Sequence, residues 1–267
     1  MTEPLRLGGM ALRNGLLVHG PTSWAAAVRS PDGSLHWASG RKPELPGAAL
    51  RLPLVRGVAR MGEMLALLPI VRRGLPQARL PFEDVRVLGA VAGTSLATGG
   101  LRKSRLSPGR AELLTAFVGL VPPLVALRSS RELAGYHGAE HKAIGAYEHG
   151  GAAFDATKEH ERCGTHLVGP LIAATAGANL LAARLPERAR RSGRFAGSLL
   201  AMGVAVEVFA WADRNRDTRV ARALSRPGFA FQRAVATEEP SAEQLEVAER
   251  ALEELLKAEA EAAEAAA

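Results

Sequence analysis

Residues 87–101 and 113–127 each run 15 residues without a charge, residues 167–183 run 17, and residues 195–212 run 18 broken only by Glu207. A helix needs about 20 apolar residues to span a bilayer, with about 17 as the lower limit, so these lengths sit between membrane helices and buried soluble ones. Their Ala and Gly content suits close packing in either setting. The flanks favour lipid. Arg102, Lys103, Arg105 and Arg110 separate the first pair, and Arg184, Arg188, Arg190, Arg191 and Arg194 separate the second. Two hydrophobic hairpins with basic tips predict membrane integration, with orientation open because Arg214, Arg216, Arg219 and Arg222 load the opposite end. The competing reading is a soluble helical protein without metal.

Upstream the pattern changes. Ala11-Leu12 and Leu16-Leu17-Val18 flank Asn14-Gly15, a tight-turn dipeptide, and the run from Ser23 to Ser30 meets Pro31-Asp32-Gly33 before a further short run. These signals predict a small β unit within residues 1–52. No apolar run behind a basic start reads as a secretory signal. From Pro53, Val55, Val58, Met61, Leu65 and Leu68 fall on one side of a helix, Arg56 and Arg60 on another, and Arg72-Arg73 close it. That helix is either an amphipathic core element or one lying in a membrane interface. At the far end Ser241 predicts an N-cap, and Leu245, Ala248, Leu252 and Leu255-Leu256 a docking stripe. The last ten residues predict a frayed Ala/Glu tail with no chemistry.

Net charge becomes informative only when divided. Residues 238–267 set ten Glu against Arg250 and Lys257, a net −8, which leaves +15 on residues 1–237. The basic charge is arginine spread along the chain, and aromatic residues make up 4%. Both features argue against nucleic acid as a partner and leave the lipid bilayer. A single cysteine excludes a disulfide framework and points to a reducing compartment.

The chemistry-bearing residues are concentrated. Five of seven histidines and the only cysteine lie within residues 136–166. His137-Gly-Ala-Glu140-His141 has the order H-x-x-E-H, which on a helix puts two imidazoles one turn apart on one face with a carboxylate beside them. Chance supplies roughly 0.015 such matches at this His and Glu content. Four residues compete for a third ligand position: His160, Cys163, His166 and Glu148. Imidazole and thiolate are good zinc ligands, while a lone cysteine is more commonly a small buried thiol. Glu140 is placed as a general base, and Arg162 or Lys142 as the cation that steadies developing negative charge. Glu207 stands in an apolar segment with no cation within a turn; in lipid it is a functional candidate. His19 and His36 are isolated in the β unit and read as surface or satisfied positions, and Gly8-Gly9 as a weak turn signal.

Tyr136-His137-Gly138-Ala139-Glu140-His141-Lys142, Tyr147-Glu148 and His160-x-Arg162-Cys163-Gly164-Thr165 together resemble the YqhQ family of bacterial proteins. Weaker matches run from Gly8-Gly9 through Pro53-Leu-Val-Arg56-Gly57 and Gln232 to Leu245-Glu246-Val247-Ala248. The resemblance implies a membrane protein and a metal-dependent enzyme, and names no substrate. The family usually has Glu at Asn14, Arg at His19 and Ser at His166, so no catalytic role is expected of the opening segment and His166 is demoted as a ligand.

The combined expectation is a mainly α, polytopic membrane bundle of about four to five apolar helices. A small N-terminal β unit occupies residues 1–52, a membrane-associated helical domain residues 53–240, and an acidic C-terminal amphipathic helix residues 241–267. Within it His137 and His141, with His160, Cys163 or Glu148, hold a divalent metal, zinc by ligand type. The expected activity is metal-assisted hydrolysis at the surface of the inner (plasma) membrane, with the C-terminal helix cytoplasmic. The alternative is a non-enzymatic membrane protein whose metal or His/Cys cluster staples a loop.

Overall fold

The computed structural model describes residues 4–43, 47–129 and 131–265. The chain is mainly helical with a small N-terminal sheet. Strands β1 (Gly8–Leu12), β2 (Gly15–His19), β3 (Ser23–Arg29) and β4 (Leu35–Arg41) form an antiparallel meander in sequence order. Leu12 pairs with Gly15, so the first turn is Arg13-Asn14, one residue earlier than the Asn-Gly dipeptide predicts. Gly15 instead serves the sheet: a Cβ there would lie 2.1 Å from the Ala27 carbonyl oxygen.

Ten helices are described: α1 (Gly47–Arg51), α2 (Val55–Gly74), α3 (Val85–Lys103), α4 (Pro108–Val118), α5 (Val121–Ser129), α6 (Arg131–His149), α7 (Val168–Ala183), α8 (Glu187–Arg214), α9 (Arg219–Phe231) and α10 (Ala242–Glu264). Strand periodicity divides the sheet's side chains between two cores. Leu16, Val18, Ala25 and Ala27 pack with Leu133, Tyr136, Ala139 and Ile144 of α6 and with Leu245, Val247, Ala248 and Leu255 of α10. The opposite face carries Leu12, Leu17, Trp24, Ala26 and Val28 against Leu67, Leu68 and Val71 of α2. Each fully buried leucine contributes roughly 1.5–3 kcal/mol. The β unit, α6 and α10 therefore share one core although they lie far apart in sequence.

Two expectations need correction. On α2 the buried residues are Gly57, Glu63, Leu67, Leu68 and Val71, whereas Val55, Met61 and Leu65 of the expected apolar stripe are exposed. The sheet packs on Leu67, Leu68 and Val71, and on that flank Lys42, at the end of β4, pairs with Glu63 at 2.8 Å. The Ala/Glu end of α10 is also not frayed through Glu264. Glu259 is buried and accepts from Thr22 N (2.9 Å), Ser23 N (2.7 Å) and Thr22 Oγ1 (2.7 Å), closing the β2–β3 turn.

Among the described residues, three helical stretches are long and apolar enough to cross a membrane: Gly109–Arg128, Gly164–Ala183 and Glu187–Arg214. The expected segments at 53–73 and 87–101 fall outside this set. Arg56, Arg60, Glu63, Arg72 and Arg73 charge the first, while Gly, Ser and Thr dilute the second. Less than a quarter of each of the three stretches is buried. Leu114, Phe117, Leu181, Phe195, Leu199 and Leu200 all face outward. A soluble monomer rarely leaves so much contiguous apolar surface to water.

Two ion-pair groups tie these helices together. At one end Glu112 of α4 meets Arg102 of α3 (3.4 Å) and Arg194 of α8 (3.3 Å), joining the two basic tips. Toward the other end Glu207 of α8 accepts from Arg56 Nε at 2.7 Å and Leu54 N at 3.1 Å. Glu207 thus has a cationic partner, supplied by another helix and out of reach of a one-turn sequence search.

Candidate metal centre

Helix α6 presents its apolar flank to the sheet and its His137–Glu140–His141 flank to a cavity of about 190 Å³. His137 Nδ1 lies 2.8 Å from the Ala236 carbonyl oxygen, and His141 Nδ1 lies 2.6 Å from that of Lys158. A carbonyl only accepts, so each Nδ1 carries the proton and donates it, leaving Nε2 as the free donor atom. Burial, and after it the neighbouring His137, pulls the His141 pKa down to about 2, so this ring stays neutral.

Cys163 approaches from the loop before α7, its Sγ 3.5 Å from His137 Nε2. One ligand atom from each of His137, His141 and Cys163 can be chosen so that all lie within 4.8 Å of one another. Gln232, fully buried, fixes the loop that carries the cysteine: its Oε1 accepts from His160 N (2.8 Å) and its Nε2 donates to His160 O (3.1 Å) and Thr165 Oγ1 (2.9 Å). Burial pushes the Cys163 thiol up from its ordinary range. A coordinated cation reverses that bias, since a coordinating thiol is deprotonated.

Glu140 stands beside the trio and is buried, and its Oε2 has no hydrogen-bond partner. Burial drives its carboxyl up to about 7, against an opposing pull from His137. Room for it comes from β1, where a Cβ on Gly9 would lie 2.6 Å from Glu140 Oε1. Gly138 has the matching function on the other side of α6. A Cβ there would lie 2.2 Å from the Glu238 carbonyl oxygen, so glycine admits the segment whose Ala236 carbonyl holds His137.

The remaining expected site residues lie around this group. His160 Nε2 faces Glu148 Oε2 at 3.3 Å, and its Nδ1 accepts from Arg162 N at 3.3 Å. Glu148 also pairs with the Arg162 guanidinium. His160 and Glu148 therefore bond each other beside the three candidate donors, although the His160 ring centroid is 5.6 Å from that of His141. Arg162 lines the cavity, held by Glu148. Lys142 does not line it: its ammonium is paired with Glu239 on the far flank of α6. His166 is buried among Ser225 O (3.1 Å), His160 O (3.3 Å) and Gln232.

Two features escaped the sequence reading. His19 lines this same cavity, and Gly8-Gly9 is a close-approach pair within a strand rather than a turn. Adjacent glycines opening a strand are the available signal, because glycine in a strand often marks close approach by another group.

A family model described as "Protein of unknown function (DUF1385)" matches residues 110–258. The chain is 26% identical over 300 residues to the uncharacterized protein YqhQ of Bacillus subtilis (strain 168), covering 96% of this chain and 94% of that relative. No solved structure matches it.

Proposed function

The chain belongs to the DUF1385 family of proteins of unknown function, and on that footing we propose a multi-pass protein of the inner (plasma) membrane that performs metal-assisted hydrolysis at the membrane face. One observation carries the reading: convergent N, N and S donors from His137, His141 and Cys163 beside the unpartnered, buried Oε2 of Glu140. Orphaned buried polar atoms are rare, and one beside three convergent donors marks a position for a ligand.

His137, His141 and Cys163 would hold the ion, a donor set suited to zinc. When bound, the ion supplies Lewis acidity to a substrate oxygen. Glu140 takes a proton from water at Oε2 and returns it to the leaving group, in reach of both because it faces the same cavity. Arg162 adds positive charge to the cavity wall. The outward apolar faces of the three long helices support the bilayer as the surrounding phase. We place the α10 side in the cytoplasm, since the free thiol of Cys163 suits a reducing compartment.

Glu140→Gln tests the assignment. In a screen of ester, amide and phosphoester substrates, the variant retains the metal and loses turnover by about 10²–10⁴-fold. Loss of metal instead makes Glu140 a ligand. The same trio also suits a purely structural staple. That reading expects no turnover from the native protein and a lowered melting temperature in Cys163→Ser.

A further inference from the structure

One wall of the cavity is built by β1 and β2, and His19 at the end of β2 is its polar residue. Lys42 Nζ lies 3.4 Å from His19 Nδ1. An ammonium has only donors, so Nδ1 accepts and the ring proton sits on Nε2. Lys42 is held in place on every side: it donates to the Gly20 carbonyl at 2.9 Å and pairs with Glu63 at 2.8 Å, with side chains only 2% and 6% exposed. Burial, and after it the Lys42 charge, lowers the His19 pKa, so the ring is neutral. Nε2 itself lies against Gly8, another lining residue, where a Cβ would come within 2.8 Å. The histidines of the cavity thus divide by tautomer. His137 and His141 carry the proton on Nδ1 and offer Nε2 lone pairs, His160 directs its Nε2–H to Glu148, and His19 offers an Nε2–H.

We infer that His19 is the oxyanion donor of this site, its Nε2–H bonding an anionic ligand oxygen, phosphoryl or carboxylate, held in the cavity that His137, His141 and Cys163 also line. The inference rests on the metal-centre reading above and adds the ligand class. An N–H on the lining together with Lewis acidity at the three donors favours an oxygen that carries or gains negative charge. Arg162, itself paired with Glu148, shares the lining, and among the described residues no carboxylate other than Glu140 lines the cavity.

The test uses the full-length chain in detergent, loaded with cobalt(II) and titrated with inorganic phosphate, with binding read from the cobalt visible spectrum. His19→Ala is expected to keep its cobalt while the phosphate dissociation constant rises about tenfold, the scale of one lost buried hydrogen bond. His19→Gln, which restores an N–H near the Nε2 position, is expected to stay within about threefold of native. Unchanged phosphate affinity in His19→Ala overturns the oxyanion role and leaves the metal centre standing, as does a native protein that holds cobalt but not phosphate. Cobalt lost from both His19 variants overturns it too, by making His19 a structural prop. A native protein that takes up no cobalt overturns the metal centre itself, and the oxyanion role with it.

Discussion

Glu140 keeps its place because Gly9 has no side chain. A methyl group there would lie 2.6 Å from Oε1, and overpacking of this kind costs about 1–3 kcal/mol. Gly9→Ala is therefore expected to lower the melting temperature and weaken metal uptake together. Gly62→Ala, on an exposed face of α2 with no atom within 4 Å of the added carbon, is expected to do neither. A thermal melt with metal analysis on both variants checks this; equal behaviour removes the role assigned to Gly9. At this scale the helical spacing of His137, Glu140 and His141 was readable, because 3.6-residue periodicity fixes which side chains share a face. The third ligand was not. Spacing alone does not choose among His160, Cys163, His166 and Glu148, and it is Gln232, gripping the loop from far along the chain, that sets Cys163 beside the two histidines. His19 was invisible for the same reason: its role depends on where the hairpin lands on α6, not on its neighbours in sequence.

The elements are joined by side chains that bond backbone they did not come from. Glu259 is the clearest case, with two backbone N–H groups and one hydroxyl of the β2–β3 turn on its carboxylate. Glu259→Ala leaves those donors without their acceptor and is expected to destabilise the protein by about 1–3 kcal/mol. Amide hydrogen exchange should accelerate at Thr22 and Ser23 before it does so in β3; unchanged exchange there would show that the α10 end is not a clamp. Low-complexity composition concealed this contact, since one buried Glu among many exposed ones has no local signature. The strands, by contrast, were readable from turn dipeptides between short apolar runs, to within one residue at the first turn. Helix α2 was half readable. Its amphipathicity was plain, but the flank turned inward is the one that carries Glu63, Leu67 and Val71, set by packing on a sheet distant in sequence. Its entry onto α8 was not readable at all. Leu54 adopts a φ of 67°, and its carbonyl oxygen lies 2.3 Å from where a Gly203 Cβ would stand. Glycine at 203 thus admits the backbone whose N–H Glu207 accepts.

The whole molecule divides into a sheet-centred head, formed by the β unit, α2, α6 and α10, and a set of apolar helices whose basic tips meet at Glu112. Apolar runs of 15 to 18 residues announced those helices, and the outward direction of their apolar faces adds what composition alone lacks. If lipid surrounds them, the tips and the head lie on opposite sides of the bilayer. In a Cys163→Ser background, cysteines placed at Arg105 and at Arg190 are expected to react with an impermeant maleimide from one side of the membrane, and one at Glu253 from the other. Labelling of all three from the same side contradicts the bundle. The head holds its cavity where α7 begins, so metal chemistry there would sit at the membrane face. The most direct measurement is metal content of the full-length protein purified in detergent without chelators, native beside His137→Ala, Cys163→Ser and Glu148→Gln. About one zinc ion per chain is expected in the native protein and in Glu148→Gln, falling to near zero in the other two. A correctly folded native protein without metal, or one whose metal survives the loss of both His137 and Cys163, would contradict the centre.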